Sequence, residues 1–143
     1  MKNKTKFETI MPLIEAAFDK GESFVFVPNG VSMLPFIKGG KTCVTIEKYT
    51  GGAKKYDIVF YKRDDGKYVM HRIVKIYPDS FGACGDNQWW VEKVFEQQIF
   101  ATVTSVEGKK GMGGWLYLST LPIRRFIIHV IKYIKKHLGG TGK

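Results

Sequence analysis

The sequence predicts a mostly β domain, all-β or α+β in class, with one helix before the strands and a basic amphipathic helix after them. Three observations point there. From residue 23 onward, apolar runs are short and are separated by Gly, Pro, Asn and Asp, the residues that turn a chain between strands. The 3.6-residue apolar period of an amphipathic helix is confined to the two ends of the chain. Finally, 16 glycines together with 10 Phe and 7 Tyr suit short strands joined by tight turns.

Residues 9–20 read as the first helix. Thr9 suits the N-cap, Pro12 is tolerated in the first turn, and Gly21 stops the helix. Ile10, Ile14, Ala17 and Phe18 share one face, and Phe7 is placed to staple it, so this helix is expected to dock on the domain. "SFVFVP" then reads as a strand halted by Pro28-Asn29-Gly30, and "TCVTIEKY" as the next. "YDIVFYK" and "KYVMHRIVKIY" flank Arg63-Asp64-Asp65-Gly66, a hairpin signal, because Asp and Gly tolerate the positive φ of a tight turn. "SFGAC" and "QQIFATVTSV" complete the strands, and "KKGMGG" (109–114) reads as a linker. Residues 119–138 read as the last helix, capped by Ser119 or Thr120, with Pro122 in its first turn and Gly139 beyond its end. The expected organisation is a docking helix over 1–22, a β domain over 23–108, and a linker with the basic helix over 109–143.

The 143 residues make one domain, large enough to bury a core without a metal or a disulfide. Formal charge is +10 but unevenly placed. Residues 1–107 carry 15 Lys/Arg against 13 Asp/Glu, whereas residues 108–143 carry 8 Lys/Arg and no acid. Ile123, Phe126, Ile127, Val130, Ile131 and Ile134 form an apolar stripe in that segment, with Arg124, Arg125, Lys132, Lys135 and Lys136 mostly elsewhere on the helix. Trp115, Tyr117 and Tyr133 suit a lipid interface. The expected partner of residues 115–138 is therefore an anionic membrane surface; the alternatives are packing on the protein's own sheet or on another protein. Nucleic acid is not an expected partner. No signal peptide or spanning run is visible, since Glu8 and Glu15 interrupt the start, and the expected location is cytoplasmic, peripheral at the membrane. Cys43 and Cys84 read as buried thiols, too few for a disulfide framework or a zinc site.

Acyl transfer needs a nucleophile, a base within hydrogen-bond reach and N–H donors for the oxyanion. In "GVSMLPFI", Ser32 follows a sharp Pro-Asn-Gly turn, where its side chain can stand clear and its N–H can face a substrate carbonyl. Gly30 shapes that turn, while Met33 anchors it. Ser32 has an ordinary reading as a turn residue. In "YVMHRIV", strand alternation puts Val69, His71 and Ile73 on one face and Met70, Arg72 and Val74 on the other. His71 is either a satisfied core histidine or a general base. In "CGDNQ", Asp86 either caps a turn or orients the His71 tautomer as the acid of a Ser-His-Asp set. Glu92 offers a second acid at longer range.

Taken in order, "GVSMLPFI", "YDIVFYKRDDGKYVMHRIV" and "CGDNQ" resemble the signature of the clan joining type I signal peptidases with LexA-type peptidases. The match covers about residues 24–107 and lies nearest the branch that uses His rather than Lys, the archaeal and endoplasmic-reticulum-like signal peptidases. The resemblance implies Ser32 as nucleophile, His71 as base, Asp86 as orienting acid and Glu92 as the second acid. It implies coiled antiparallel β-sheets around a shallow groove, with substrate bound as an added strand. No metal or other cofactor is implied. The chain departs from the family pattern in places: Lys55-Tyr56-Asp57 stands where the family usually has Gly-Asp, and "GGK" ends the loop after the Ser box. Gly30 stands where signal peptidases often hold a hydroxyl, leaving the Ser32 N–H as the main oxyanion donor. The function expected is a serine endopeptidase acting on extended, leader-like segments. The alternatives are a LexA-like protein that cuts itself, with Lys67 or Lys75 as base and Cys84-Gly85 as the bond, and a non-catalytic membrane-surface or peptide-binding relative.

Overall fold

The structure, a computed structural model, describes residues 7–110 and 114–138, with side chains of the last helix described from residue 122 onward. Its elements run α1 (Phe7–Asp19), β1 (Phe24–Phe26), β2 (Val44–Lys48), β3 (Ile58–Lys62), β4 (Tyr68–Ile76), β5 (Phe81–Cys84), β6 (Glu92–Val94), β7 (Ile99–Val106), β8 (Lys109–Lys110) and α2 (Gly114–Leu138). The eight strands form one antiparallel sheet in the order β1-β2-β7-β3-β4-β5-β6, with β8 on β7. The protein is thus mostly β with a helix at each end.

Strand alternation splits the apolar residues between two clusters. Ile58, Phe60 and Met70 join Ile14, Met33, Ile37, Val44 and Ile46 in one, while Val59, Tyr61 and Ile73 join Ala83, Val94 and Ile99 in the other. α1 docks on the first, as its periodicity predicts. Ile14 is fully buried, worth roughly 1.5–3 kcal/mol as a side chain withdrawn from water. Phe7 packs its ring 4.3 Å from Phe60 and 5.2 Å from Tyr68. Thr9, expected as the N-cap, lies inside the helix. At the other end Gly21 takes φ +71°, and the Gly21 and Glu22 N–H groups cap the carbonyls of Phe18 and Ala17.

The β3–β4 hairpin closes where Arg63-Asp64-Asp65-Gly66 predicts, with the Arg63 N–H on the Lys67 carbonyl at 2.8 Å. Two strands were not expected. β6 lies in "WWVEKV", whose mixed polarity does not alternate cleanly. β8 occupies the start of the expected linker: Glu107 and Gly108 both take positive φ (51° and 70°), a two-residue turn that folds Lys109 and Lys110 back on β7. Residues 111–113 of that linker lie outside the described residues, as does Gly139. α2 begins five residues earlier than the expected residue 119, at Gly114, and so includes Trp115 and Tyr117. Cys84 is buried, whereas Cys43, expected to be buried too, is only half-buried.

Tyr56 sits where the resembling family usually has Gly, and it adopts φ +79°, a left-handed conformation that costs a non-Gly residue about 1–2 kcal/mol. Its N–H on the Ile73 carbonyl (2.7 Å) and its own carbonyl under Arg72 Nη1 (3.0 Å) hold it there. Tyr56→Gly is accordingly expected to raise stability by up to about 1 kcal/mol in chemical denaturation, the relief being partly offset by the entropy glycine adds to the unfolded chain.

Candidate active site

A cleft of about 580 Å³ is bordered by Ser32, Gly30 and Asn29 on one side and by Val69, Met70 and His71 on the other. Strand pairing explains why it is open. Among the described residues, β4 pairs from Tyr68 to His71 with β3 alone, because its register with β5 begins at Arg72. β1 likewise pairs with β2 alone among the described residues. Two strand edges that carry no further strand among the described residues therefore flank the cleft, and Phe7, Ile10, Phe26 and Met70 make its floor apolar.

The Ser32 loop is held from below and from the side. Met33 and Ile37 are buried in the first core cluster, with the Ile37 N–H on the Met33 carbonyl at 2.9 Å. The "GDN" turn clamps the loop: the Asn87 N–H donates to the Ser32 carbonyl at 2.8 Å and Asn87 Nδ2 to the Val31 carbonyl at 3.1 Å. Gly85 must be glycine, since a Cβ there would stand 2.6 Å from the Ser32 carbonyl oxygen. Gly30 takes φ +103° and lies so close to Gly39 that a Cβ on Gly39 would overlap its backbone. These contacts use the Ser32 carbonyl; its N–H and Oγ make no hydrogen bond among the described residues.

His71 is buried in the sheet with its Nδ1 3.1 Å from the Tyr61 hydroxyl. That hydroxyl donates to Glu92 Oε2 at 3.0 Å, and Glu92 is gripped by Arg63 through Nε at 2.6 Å and Nη2 at 2.7 Å. Tyr61 has one proton, and Glu92 takes it. The hydrogen at the second contact must therefore come from His71, which makes it the Nδ1–H tautomer with its Nε2 lone pair free. Burial, and after it the charge of Glu92, push the Tyr61 hydroxyl well above the usual phenol range, so it stays protonated. Burial opposes charge on Glu92, but its bonds from Arg63 and Tyr61 outweigh this and keep the carboxyl below its ordinary value. Burial lowers His71 to about 4, Glu92 pulling the other way and Arg63 adding to the fall. At neutral pH the imidazole is thus an uncharged acceptor.

Asp86 does not orient His71. Its two oxygens lie 3.0 Å from Arg72 Nε and Nη2, and both side chains are fully buried. The reason is parity on β4: Arg72 points opposite to His71, and a buried guanidinium requires a carboxylate. Phe36 of the Ser box stacks 5.0 Å from the Arg72 guanidinium, so this pair underlies the loop that carries Ser32. The acid linked to His71 is Glu92, the longer-range candidate, through the Tyr61 hydroxyl. Sequence reading passed over Tyr61, Arg63 and Gln88. Tyr61 was legible from the hairpin register, which sets it across from Val69 and diagonal to His71 on the same face.

Ser32 and His71 thus share one cleft, and no hydrogen bond joins Ser32 Oγ to His71 in it. Gln88, three residues past Gly85, also lines the cleft; its Oε1 is buried without a partner and its Nε2 makes no hydrogen bond among the described residues. No family model matches the chain, and no curated protein matches it.

Proposed function

We propose that the protein is a serine endopeptidase that resembles the His-using signal peptidases and cleaves extended peptide segments. One observation carries this reading: Ser32, with its N–H and Oγ unengaged among the described residues, borders the same cleft as a neutral His71 whose proton is fixed on Nδ1. In this mechanism Nε2 takes the Ser32 proton as Oγ attacks the peptide carbonyl, and the imidazolium then protonates the leaving amine. Glu92, through Tyr61, balances the charge that His71 gains. Water, deprotonated by the same nitrogen, releases the acyl group. Substrate lies as an added strand along the free edges of β4 and β1, its apolar side chains on the Phe26–Met70 floor.

The oxyanion needs two donors, and Gly30 offers no hydroxyl. Ser32 N–H supplies one and the Gln88 side-chain amide the other. A Cβ on Gly85 would lie 2.6 Å from the Ser32 carbonyl and 2.9 Å from Gln88 Oε1, so this amide rests beside the nucleophile's own backbone. Gln88→Ala is expected to lower kcat about 10²–10³-fold with little change in KM, the usual cost of one oxyanion donor. Steady-state kinetics on a cleaved peptide checks it.

Self-cleavage is the weaker reading. Neither Lys67 nor Lys75 borders the cleft, and Cys84-Gly85 is a buried bond. The test is a digest of a library of unstructured peptides, read by mass spectrometry. Cleavage by wild type and none by Ser32→Ala is expected; equal cleavage by both, or none by either, contradicts the proposal.

A further inference from the structure

α2 is turned inside out. In most surface helices the apolar stripe faces the protein and the charged face meets water. Here the cationic face meets the domain. Lys132 lies over the rings of Trp90 (4.8 Å) and Trp89 (5.9 Å), and His129 packs 6.3 Å from Trp89. One turn earlier Arg125 lies beside Cys84: burial raises that thiol and the Arg125 charge pulls it back. The opposite face carries Ile123, Ile127, Ile131, Ile134 and Leu138, spaced three or four apart and each 45–72% exposed. The helix therefore does not pack its stripe on the protein's own sheet, and among the described residues nothing covers it.

From this arrangement we propose that α2 lies in the surface of an anionic bilayer, with the isoleucine stripe among the acyl chains and the domain seated on its cationic back. Charge selects this occupant. Residues 108–143 hold 8 Lys/Arg and no acid, so every formal charge within a Debye length of the stripe on this segment favours an anionic surface. A groove on an uncharged protein surface would need only the apolar stripe and would gain nothing from the missing acids. Among the described residues no helix is long and apolar enough to cross a membrane, so an in-plane pose is the one α2 can take. Because the Trp89–Trp90 loop directly follows Gln88, docking through α2 sets the cleft close to the lipid surface.

The test is co-sedimentation of the full chain with phosphatidylglycerol–phosphatidylcholine vesicles, with pure phosphatidylcholine as control. Binding to the anionic vesicles, weakened by salt, and far weaker binding to the neutral ones is expected. Ile127→Glu with Ile131→Glu should weaken it at least about tenfold while leaving thermal melting unchanged, since both side chains are exposed. Lys135→Glu with Lys136→Glu should weaken anionic binding by about fivefold or more per position. A chain that stays in the supernatant, or a stripe variant that binds as wild type does, overturns the proposal. So does a lipid-free dimer in light scattering that the stripe variant dissociates, which would make the stripe a seam between copies. None of these readouts depends on peptidase activity.

Discussion

Asp86→Ala should cost about 3–5 kcal/mol of stability, the penalty for leaving a buried guanidinium without its carboxylate. Arg72 and Asp86 side chains are both 0% exposed, and their two contacts of 3.0 Å form a bidentate pair. With Ala at 86, Arg72 loses both carboxylate contacts, while its Nη1 bond to the Tyr56 carbonyl (3.0 Å) and its stack on Phe36 remain. The melting temperature should fall by about 10 °C or more. Removing both charges, as in Asp86→Ala with Arg72→Met, should recover a large part of the loss, because no buried charge is then stranded. Calorimetry on the wild type and these two variants separates this structural role from a catalytic one. An acid that orients a catalytic histidine would, when removed, leave melting nearly unchanged and lower kcat alone.

His71→Ala should lower kcat/KM on the order of 10⁴-fold. In the wild type, the acid limb of kcat/KM should fall near pH 4 rather than at the 6.5 of a free imidazole, because burial lowers His71 to about 4. Glu92→Gln should move that limb further down, since the Glu92 charge is what raises His71 against its burial. The same group shapes stability. Between pH 6.5 and about 4 the unfolded chain protonates this histidine while the folded chain does not, so its share of stability is full above 6.5 and is lost as pH falls. The loss approaches about 3 kcal/mol at the lower end, and His71→Gln should flatten the slope. A limb at 6.5 with an unchanged stability profile would mean that His71 is solvated and unconnected to Tyr61.

How far the site was legible depended on whether its determinants are local. Ser32 stands out because a Gly-x-Ser turn with Met and Pro behind it is read along one stretch of chain. His71 stands out because a polar ring in an apolar strand needs a reason. The strand alternation that set His71 and Arg72 on opposite faces also contained the answer for Asp86, once the question becomes what a buried arginine must pair with. Tyr61 and Arg63 join the candidate site only through register: β3 against β4 brings Tyr61 to His71, and β6 against β5 brings Glu92 within reach of both. β6 has too little alternation to announce itself. Likewise the amphipathicity of α2 was plain from its spacing, but which face meets the domain depends on Trp89 and Trp90, some forty residues earlier in the chain.

The central claim is that Ser32 is a nucleophile activated by His71 Nε2. Labelling with a fluorophosphonate, followed by peptide mapping, tests it most directly, because the reagent needs an activated hydroxyl but no knowledge of the substrate. The account predicts a single adduct on Ser32, lost in Ser32→Ala and slowed at least a hundredfold in His71→Ala, a span typical of removing a general base. An adduct on another residue, or a Ser32 adduct that forms at the same rate without His71, would contradict it.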